Sequence, residues 1–310
     1  MNKKIKIGLL FSAAMIAIFA SVAAFYIKNA ETELKLGFVT DWEYNSRKDI
    51  GNKLTNQAPA ELEKSVRFMN EQFKPEMVVA GGDMIESSGV SREKGQRQLE
   101  EVNAIFSRLN ARSGYVFGNH DLRVFNKEDL RRILSLETNH SYLDLGDWRL
   151  VLADTNFNKK DQSDLGPDHY IGGYISQNEY AWLEEALATD RPTILFTHHS
   201  PIPNIDSHNL SKQEEARSFL EKFPNLILVV SGHDPTCKLE ESNGVYYFIA
   251  NNLVNRNALG SFATITAEYN KYTKKASVDI EHHGAHQEKF QIEKRFKYDE
   301  KWKNFLASFF

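Results

Sequence analysis

The sequence predicts an α/β domain behind an N-terminal apolar helix. Strand-like apolar runs alternate with amphipathic helical stretches along most of the chain. Five short polar motifs stand at the ends of such runs, where open α/β sheets place their ligands. The third observation is an uncharged stretch, residues 7–27, preceded by Lys3, Lys4 and Lys6.

An apolar helix of ~20 residues can span a bilayer. The lysines before it predict a cytoplasmic N-terminus with the remainder exported. A cleaved signal peptide is the rival reading, since residues 21–24 offer small side chains at plausible cleavage positions. The length of the run favours an uncleaved anchor. Residues 1–30 are therefore set apart from a single domain over 34–290, with 291–310 as a tail.

Within the domain, residues 34–40 read as a strand ending at Asp41. Residues 60–73 read as a helix with Leu62, Val66, Met69 and Phe73 on one face. A short strand, 77–80, ends at Gly81-Gly82-Asp83. A helix over 92–109 follows, with Leu99, Val102, Phe106 and Leu109 inward. A strand over 115–117 runs into Gly118-Asn119-His120-Asp121, and 127–134 is a short helix. Residues 142–145 and 149–153 form a hairpin about Gly146-Asp147. Ser176 with Glu179, and Ser211 with Glu214, have capping-box spacing for helices ending near Ala188 and Phe223. Strands over 193–197 and 226–231 end at His198 and Gly232-His233. The C-terminal part is strand-rich: 238–241 and 245–249 flank Asn243-Gly244, and 261–268 pairs with 277–281.

Composition adds limits. The 310 residues are 41% hydrophobic and 26% charged, with a formal charge of -4. That balance gives no reason to expect nucleic-acid binding. The single cysteine, Cys237, excludes an intramolecular disulfide framework.

The five motifs are TDWEY (Asp41, Glu43), GGDM (Asp83), GNHD (Asn119, His120, Asp121), THHSP (His198, His199) and SGHDP (His233, Asp234, Pro235). Each alone is weak, but the ordered set resembles the calcineurin-like metallophosphoesterase family. The resemblance implies a four-layer sandwich of two mixed β-sheets flanked by helices, with metals at one end. It implies metal-dependent hydrolysis of a phosphate ester, for which two metals ~3.5–4 Å apart can neutralise charge and activate water.

Carried onto this chain, the family pattern makes Asp83 the bridging carboxylate. The second metal position is complete: Asp83, Asn119, His198 and His233. Such a mixture of oxygen and imidazole ligands suits Mn, Fe or Zn. The first position keeps Asp41 and Asp83, but its D-x-H histidine is Glu43 and its last histidine is Pro235, which has no ligand atom. Either Asp41, Glu43 and Asp83 hold a harder ion such as Mg, or the position is empty and one metal remains. His120 is the expected proton donor to the leaving oxygen, oriented by Asp121. His199 is expected to contact substrate.

Remaining features have plainer readings. His282, His283 and His286 read as a solvated strand end or loop, and His208 as a loop residue. Asp154 ends a strand with no ligand role. Tyr298, Trp302, Phe305 and Phe309 have helical spacing among basic residues. That pattern suits docking on the domain, or a lipid surface. The expected protein is thus a membrane-anchored extracytoplasmic phosphoesterase, with a phosphorylated small molecule as substrate and a phosphodiester or nucleotide-like one preferred. The alternative is a non-catalytic or single-metal module retaining the fold.

Overall fold

A computed structural model describes residues 31–47, 49–158, 172–202, 209–297, 302 and 307. Two six-stranded mixed sheets pack face to face. The first has the order β12-β11-β10-β1-β2-β3, the second β4-β5-β6-β7-β9-β8. The first comprises β1 (Glu31–Val39), β2 (Met77–Ala80), β3 (Arg112–Tyr115), β10 (Phe262–Asn270), β11 (Lys275–His283) and β12 (Glu288–Arg295). The second comprises β4 (Ser141–Leu145), β5 (Trp148–Leu152), β6 (Thr193–Thr197), β7 (Leu226–Ser231), β8 (Lys238–Ser242) and β9 (Val245–Ile249).

The parallel strands are central: β1-β2-β3 in one sheet and β5-β6-β7-β9 in the other. Antiparallel strands close each sheet at its margins. Parallel strands covered on both faces read as continuous apolar runs, and every residue of β6 and β7 is buried. Leu36 and Phe38 of β1 meet Leu150, Ile194 and Phe196 of the second sheet in the core between the layers. Phe38 and Phe196 stack there, with ring centroids 5.8 Å apart.

Helices cover the outer faces. On the first sheet, α1 (Ala58–Phe68) and α2 (Arg92–Phe106) set Leu62, Val66, Leu99 and Val102 against Val39, Val78 and Ala80, with α3 (Lys127–Leu134) adding Leu130. On the second, α4 (Gln177–Leu187) and α5 (Gln213–Leu220) set Leu183, Leu187 and Leu220 against Val151, Leu195 and Val229. The expected four-layer sandwich is what the chain forms.

Several local expectations are corrected. The helix expected to run to Phe73 ends as α at Phe68 and closes with a π-helical turn, Met69–Phe73. The strand expected over 115–117 pairs at Arg112–Tyr115 instead. Val116 and Phe117 are buried loop residues beyond the ladder, because an apolar run reports burial rather than pairing. Ser176 caps α4 by accepting from the Glu179 N–H, but the Glu179 carboxylate turns to His140 Nδ1 (2.7 Å) and the Asp154 N–H (3.0 Å). Ser211 caps nothing; α5 starts after Lys212, held at φ 58°. His282 is buried in β11 and accepts from the Asn251 N–H at 3.3 Å, while His283 stacks on Phe262.

The first sheet continues through Arg295, beyond the domain end placed at 290. Of the tail's aromatic residues, Trp302 is described: it is buried, edge-on to Phe223 at 6.1 Å, as docking on the domain requires. Residues 7–27 and His208 lie outside the described residues. Among the described residues no helix is long and apolar enough to cross a membrane.

Phe38 tests the joint between the sheets. We expect Phe38→Ala to cost about 3–5 kcal/mol in urea unfolding, the usual penalty for deleting a fully buried aromatic ring. A loss below ~1 kcal/mol would mean that the two layers do not depend on this contact.

Candidate metal centre

The five motifs lie at the carboxyl ends of β1, β2, β3, β6 and β7 and meet at one end of the sandwich. Backbone hydrogen bonds stitch the loops together. Asp41 N–H donates to Gly82 O at 3.0 Å, Glu43 N–H to Asp83 O at 2.8 Å, and Gly232 N–H to His198 O at 3.1 Å. Gly118 passes so close to Asp83 that a Cβ on it would lie 2.1 Å from the Asp83 nitrogen and Oδ1. Only glycine permits that approach. Asp41, Glu43, Asp83 and His233 all have positive φ, at 53°, 43°, 52° and 68°. Each is a sparsely populated conformation for a residue with a side chain, and such strain clusters where side chains must be aimed.

His198 is the centre of the cluster. Its Nδ1 donates to Gly81 O at 2.8 Å, which leaves Nε2 as the atom facing inward. Around Nε2 stand Asp83 Oδ2 at 3.3 Å, Asn119 Oδ1 at 3.2 Å and His233 Nδ1 at 3.3 Å. Ligands bonded at about 2.1 Å to one cation stand roughly 3.0–3.4 Å from one another, so each of these atoms is at a metal-sharing distance from His198 Nε2. Among the described residues His198 belongs to two groups able to hold a metal, one with Asp41 and Asp83 and one with His199 and His233. Asp83 is fully enclosed. Burial alone would raise its pKa, but His198 and His120 hold it well below the ordinary value. In return Asp83 outweighs the burial of His198 and lifts that imidazole to about 9. A proton is thereby favoured where a cation would sit, and a metal competes with it for the same lone pair.

The first position differs. Asp41 Oδ2 accepts from Thr40 Oγ1 at 2.6 Å and from the His233 N–H at 2.9 Å, while Oδ1 is buried without a donor. Glu43 Oε1 is paired with the Lys53 ammonium, while Oε2 is buried without a hydrogen-bond partner and the residue lies with Glu86 and His120 in a group able to hold a metal. Burial lifts the Glu43 carboxyl to about 7 against the pull of Lys53. Asp234 joins none of the metal-competent clusters among the described residues.

His120 lies beside both positions, but Asp121 does not orient its ring. Asp121 accepts from the N–H groups of Met84 (2.8 Å), Ile85 (3.2 Å) and Gly118 (3.1 Å), and so braces the turn after Asp83. The acid facing the ring is Glu86, whose Oε2 is 2.7 Å from His120 Nδ1. Arg123 reaches the same carboxylate at 3.0 Å. His120 Nε2 faces Glu43 at 3.8 Å and Asp83 at 3.9 Å. Burial disfavours the imidazolium, but Asp83, Glu86 and Glu43 together raise its pKa above the ordinary value. Glu86 stands three residues after the bridging aspartate, and nothing in the spacing singles it out.

His199 stands beside the same group. It is fully buried, with Nδ1 against Thr155 Oγ1 at 2.9 Å and its ring 4.5 Å from that of His233. Its Nε2 is buried without a hydrogen-bond partner, and the residue forms with His198 and His233 a group able to hold a metal. Asp154, which had no assigned role, forms a buried ion pair with Lys127 at 2.6 Å.

The fold and the convergent carboxylate, amide and imidazole groups define a metallophosphoesterase. The chain belongs to the calcineurin-like phosphoesterase family, which it matches over residues 34–237, and so to the hydrolases acting on phosphate esters. It is 24% identical over 212 residues to the glycerophosphodiester phosphodiesterase GpdQ of Enterobacter lignolyticus, across 64% of this chain and 70% of that protein. It is 24% identical over 168 residues to the 3',5'-cyclic adenosine monophosphate phosphodiesterase CpdA of Escherichia coli, across 52% of this chain and 55% of that one. Among solved structures, a dimetal phosphatase from Danio rerio matches with a TM-score of 0.68 at 17% identity, over 84% of this chain and 98% of that one. At that identity the match speaks for the fold alone.

Glu86 and Asp121 separate by experiment. We expect Asp121→Ala to destabilise the fold by about 1–3 kcal/mol, because buried N–H groups lose their acceptor. Glu86→Gln should leave the fold intact and lower the His120 pKa, read by NMR titration of the imidazole. An unmoved His120 titration would show that Glu86 does not support the imidazolium.

Proposed function

We propose that this protein hydrolyses a phosphodiester at one divalent metal, held by Asp83, Asn119, His198 and His233. The observation that carries this reading is the spacing of those ligand atoms around His198 Nε2. Mn, Fe or Zn suits the donor set. Bound there, such an ion supplies charge neutralisation and a more acidic water.

The residues of the chain do the remainder. His120, with Nδ1 against Glu86, holds Nε2 3.3 Å from an Arg123 guanidinium nitrogen, 3.8 Å from Glu43 and 3.9 Å from Asp83. There it is placed to pass a proton to the leaving oxygen, a role that needs a supported imidazolium. Arg123 shares the Glu86 carboxylate and fixes the acid that fixes the histidine. The diester preference draws on the two phosphodiesterases to which the chain is similar.

A non-catalytic module would not need this set. Glu86, His120 and Arg123 form a charged network buried beside the ligands, a costly arrangement for a scaffold.

With Mn or Zn added, we expect bis(p-nitrophenyl) phosphate to turn over faster than p-nitrophenyl phosphate. A chelator should abolish turnover, and His120→Ala should lower it ~10²–10⁴-fold. A monoester rate tenfold above the diester rate would overturn the diester reading.

We also propose that residues 7–27 anchor the protein with its domain on the outer side of a membrane. Their uncharged length and the preceding lysines support this. Full-length protein should stay with membranes through a carbonate wash and be open to external protease. A soluble exported form starting near Ala24 would point instead to a cleaved signal peptide.

A further inference from the structure

The first metal position of the family pattern is altered in this chain, although Asp41 and Asp83 still lie with His198 in a group able to hold a metal. Glu43 replaces one imidazole ligand, Pro235 offers no atom in place of another, and Glu43 Oε1 is paired with Lys53. We propose that the Lys53 ammonium replaces the first metal ion, so that the active site runs on one divalent metal and one lysine. This builds on the phosphoesterase reading above.

The local charge calls for a cation. Asp41, Glu43, Asp83 and Glu86 are all buried within the same group of loops. Lys53 Nζ pairs with Glu43 Oε1 and stands 3.9 Å from Glu86 Oε2. The Lys53 side chain is 31% exposed, while its partner Glu43 is enclosed at 1%.

The backbone delivers this lysine deliberately. Lys53 and Ile50 exchange N–H···O bonds of 3.0 Å in both directions, and Lys53 forms an antiparallel bridge with Asn255. Leu54 N–H donates to Val254 O at 2.8 Å. Asn255 in turn donates through Nδ2 to Pro235 O at 3.4 Å. The segment that lost a ligand and the loop that brings the ammonium are thus tied to one residue.

The replacement is unequal in chemistry. An ammonium carries one positive charge and three donors, enough to offset a carboxylate and to bond a phosphate oxygen. It does not ionise water as a divalent metal does. Lys53 is therefore assigned charge neutralisation and phosphate binding, with no share in activating water.

Metal stoichiometry tests this without relying on activity. Full-length protein, stripped by chelator, is titrated with Mn and Zn and counted by mass spectrometry and calorimetry. Wild type and Lys53→Arg should each bind one equivalent. Lys53→Met should bind two, because its carboxylates lose their counter-charge, and Lys53→Met with Glu43→Gln should return to one. Diester turnover by Lys53→Met should fall about 10²-fold. Two equivalents in wild type would overturn the proposal, as would one equivalent in both wild type and Lys53→Met. If Lys53→Met does not fold, Lys53→Gln takes its place in the same count. One equivalent without hydrolysis would sink the phosphoesterase reading and leave this one standing. Two equivalents with rapid hydrolysis would do the reverse.

Discussion

Burying Asp41, Glu43, Asp83, Glu86 and Asp121 at one end of a β-sandwich demands positive charge in the same place. Carboxylates crowded in a poorly solvated site repel unless protons or cations intervene. The chain answers in several ways at once. His120 and Arg123 face Glu86, Lys53 faces Glu43, and His198 faces Asp83. Asp121 is answered by backbone N–H groups, and burial with Asp83 nearby raises its carboxyl to about 7. What remains is the inward face of His198 with Asp83, Asn119 and His233, the place proposed above for a divalent ion.

That balance explains why the scaffold is built as it is. Parallel strands from two sheets end side by side, so five short loops can reach one point. The loops must turn sharply, which is why four of their polar residues sit at positive φ. Such strain persists because the stacked sheets on one side and the helices on the other over-determine the loop ends. The apolar layers, with Phe38 against Phe196 between them, thus hold the charged site in shape.

The site also divides labour among acids that look alike in sequence. Asp121 stabilises a turn, Glu86 supports an imidazolium, Asp83 draws on two histidines, and Glu43 pairs with an ammonium. Environment makes the difference, since each carboxyl group meets a different set of donors. A hydrolase of phosphate esters needs that separation, because a proton donor and a metal ligand cannot share one protonation state.

The order of residues carried the α/β class and most of the strands and helices, and its resemblance to the family supplied the residue types expected at a second metal position. Apolar periodicity and motif order report local burial and strand ends, so β2, α3, β6, β7 and β9 fall where the pattern puts them. It also determined that the first position had lost two imidazoles. Only the tertiary structure decided what fills the space. Lys53 and Glu86 lie in segments with no distinguishing spacing, and Asn255 is 202 residues from Lys53, yet the bridge between them brings the ammonium to Glu43. Likewise the neighbour of His120 in sequence turned away from its ring, because hydrogen bonds to Met84, Ile85 and Gly118 satisfied Asp121 better. Pairings of this kind depend on distance and direction between loops far apart in the chain, which a linear pattern does not encode.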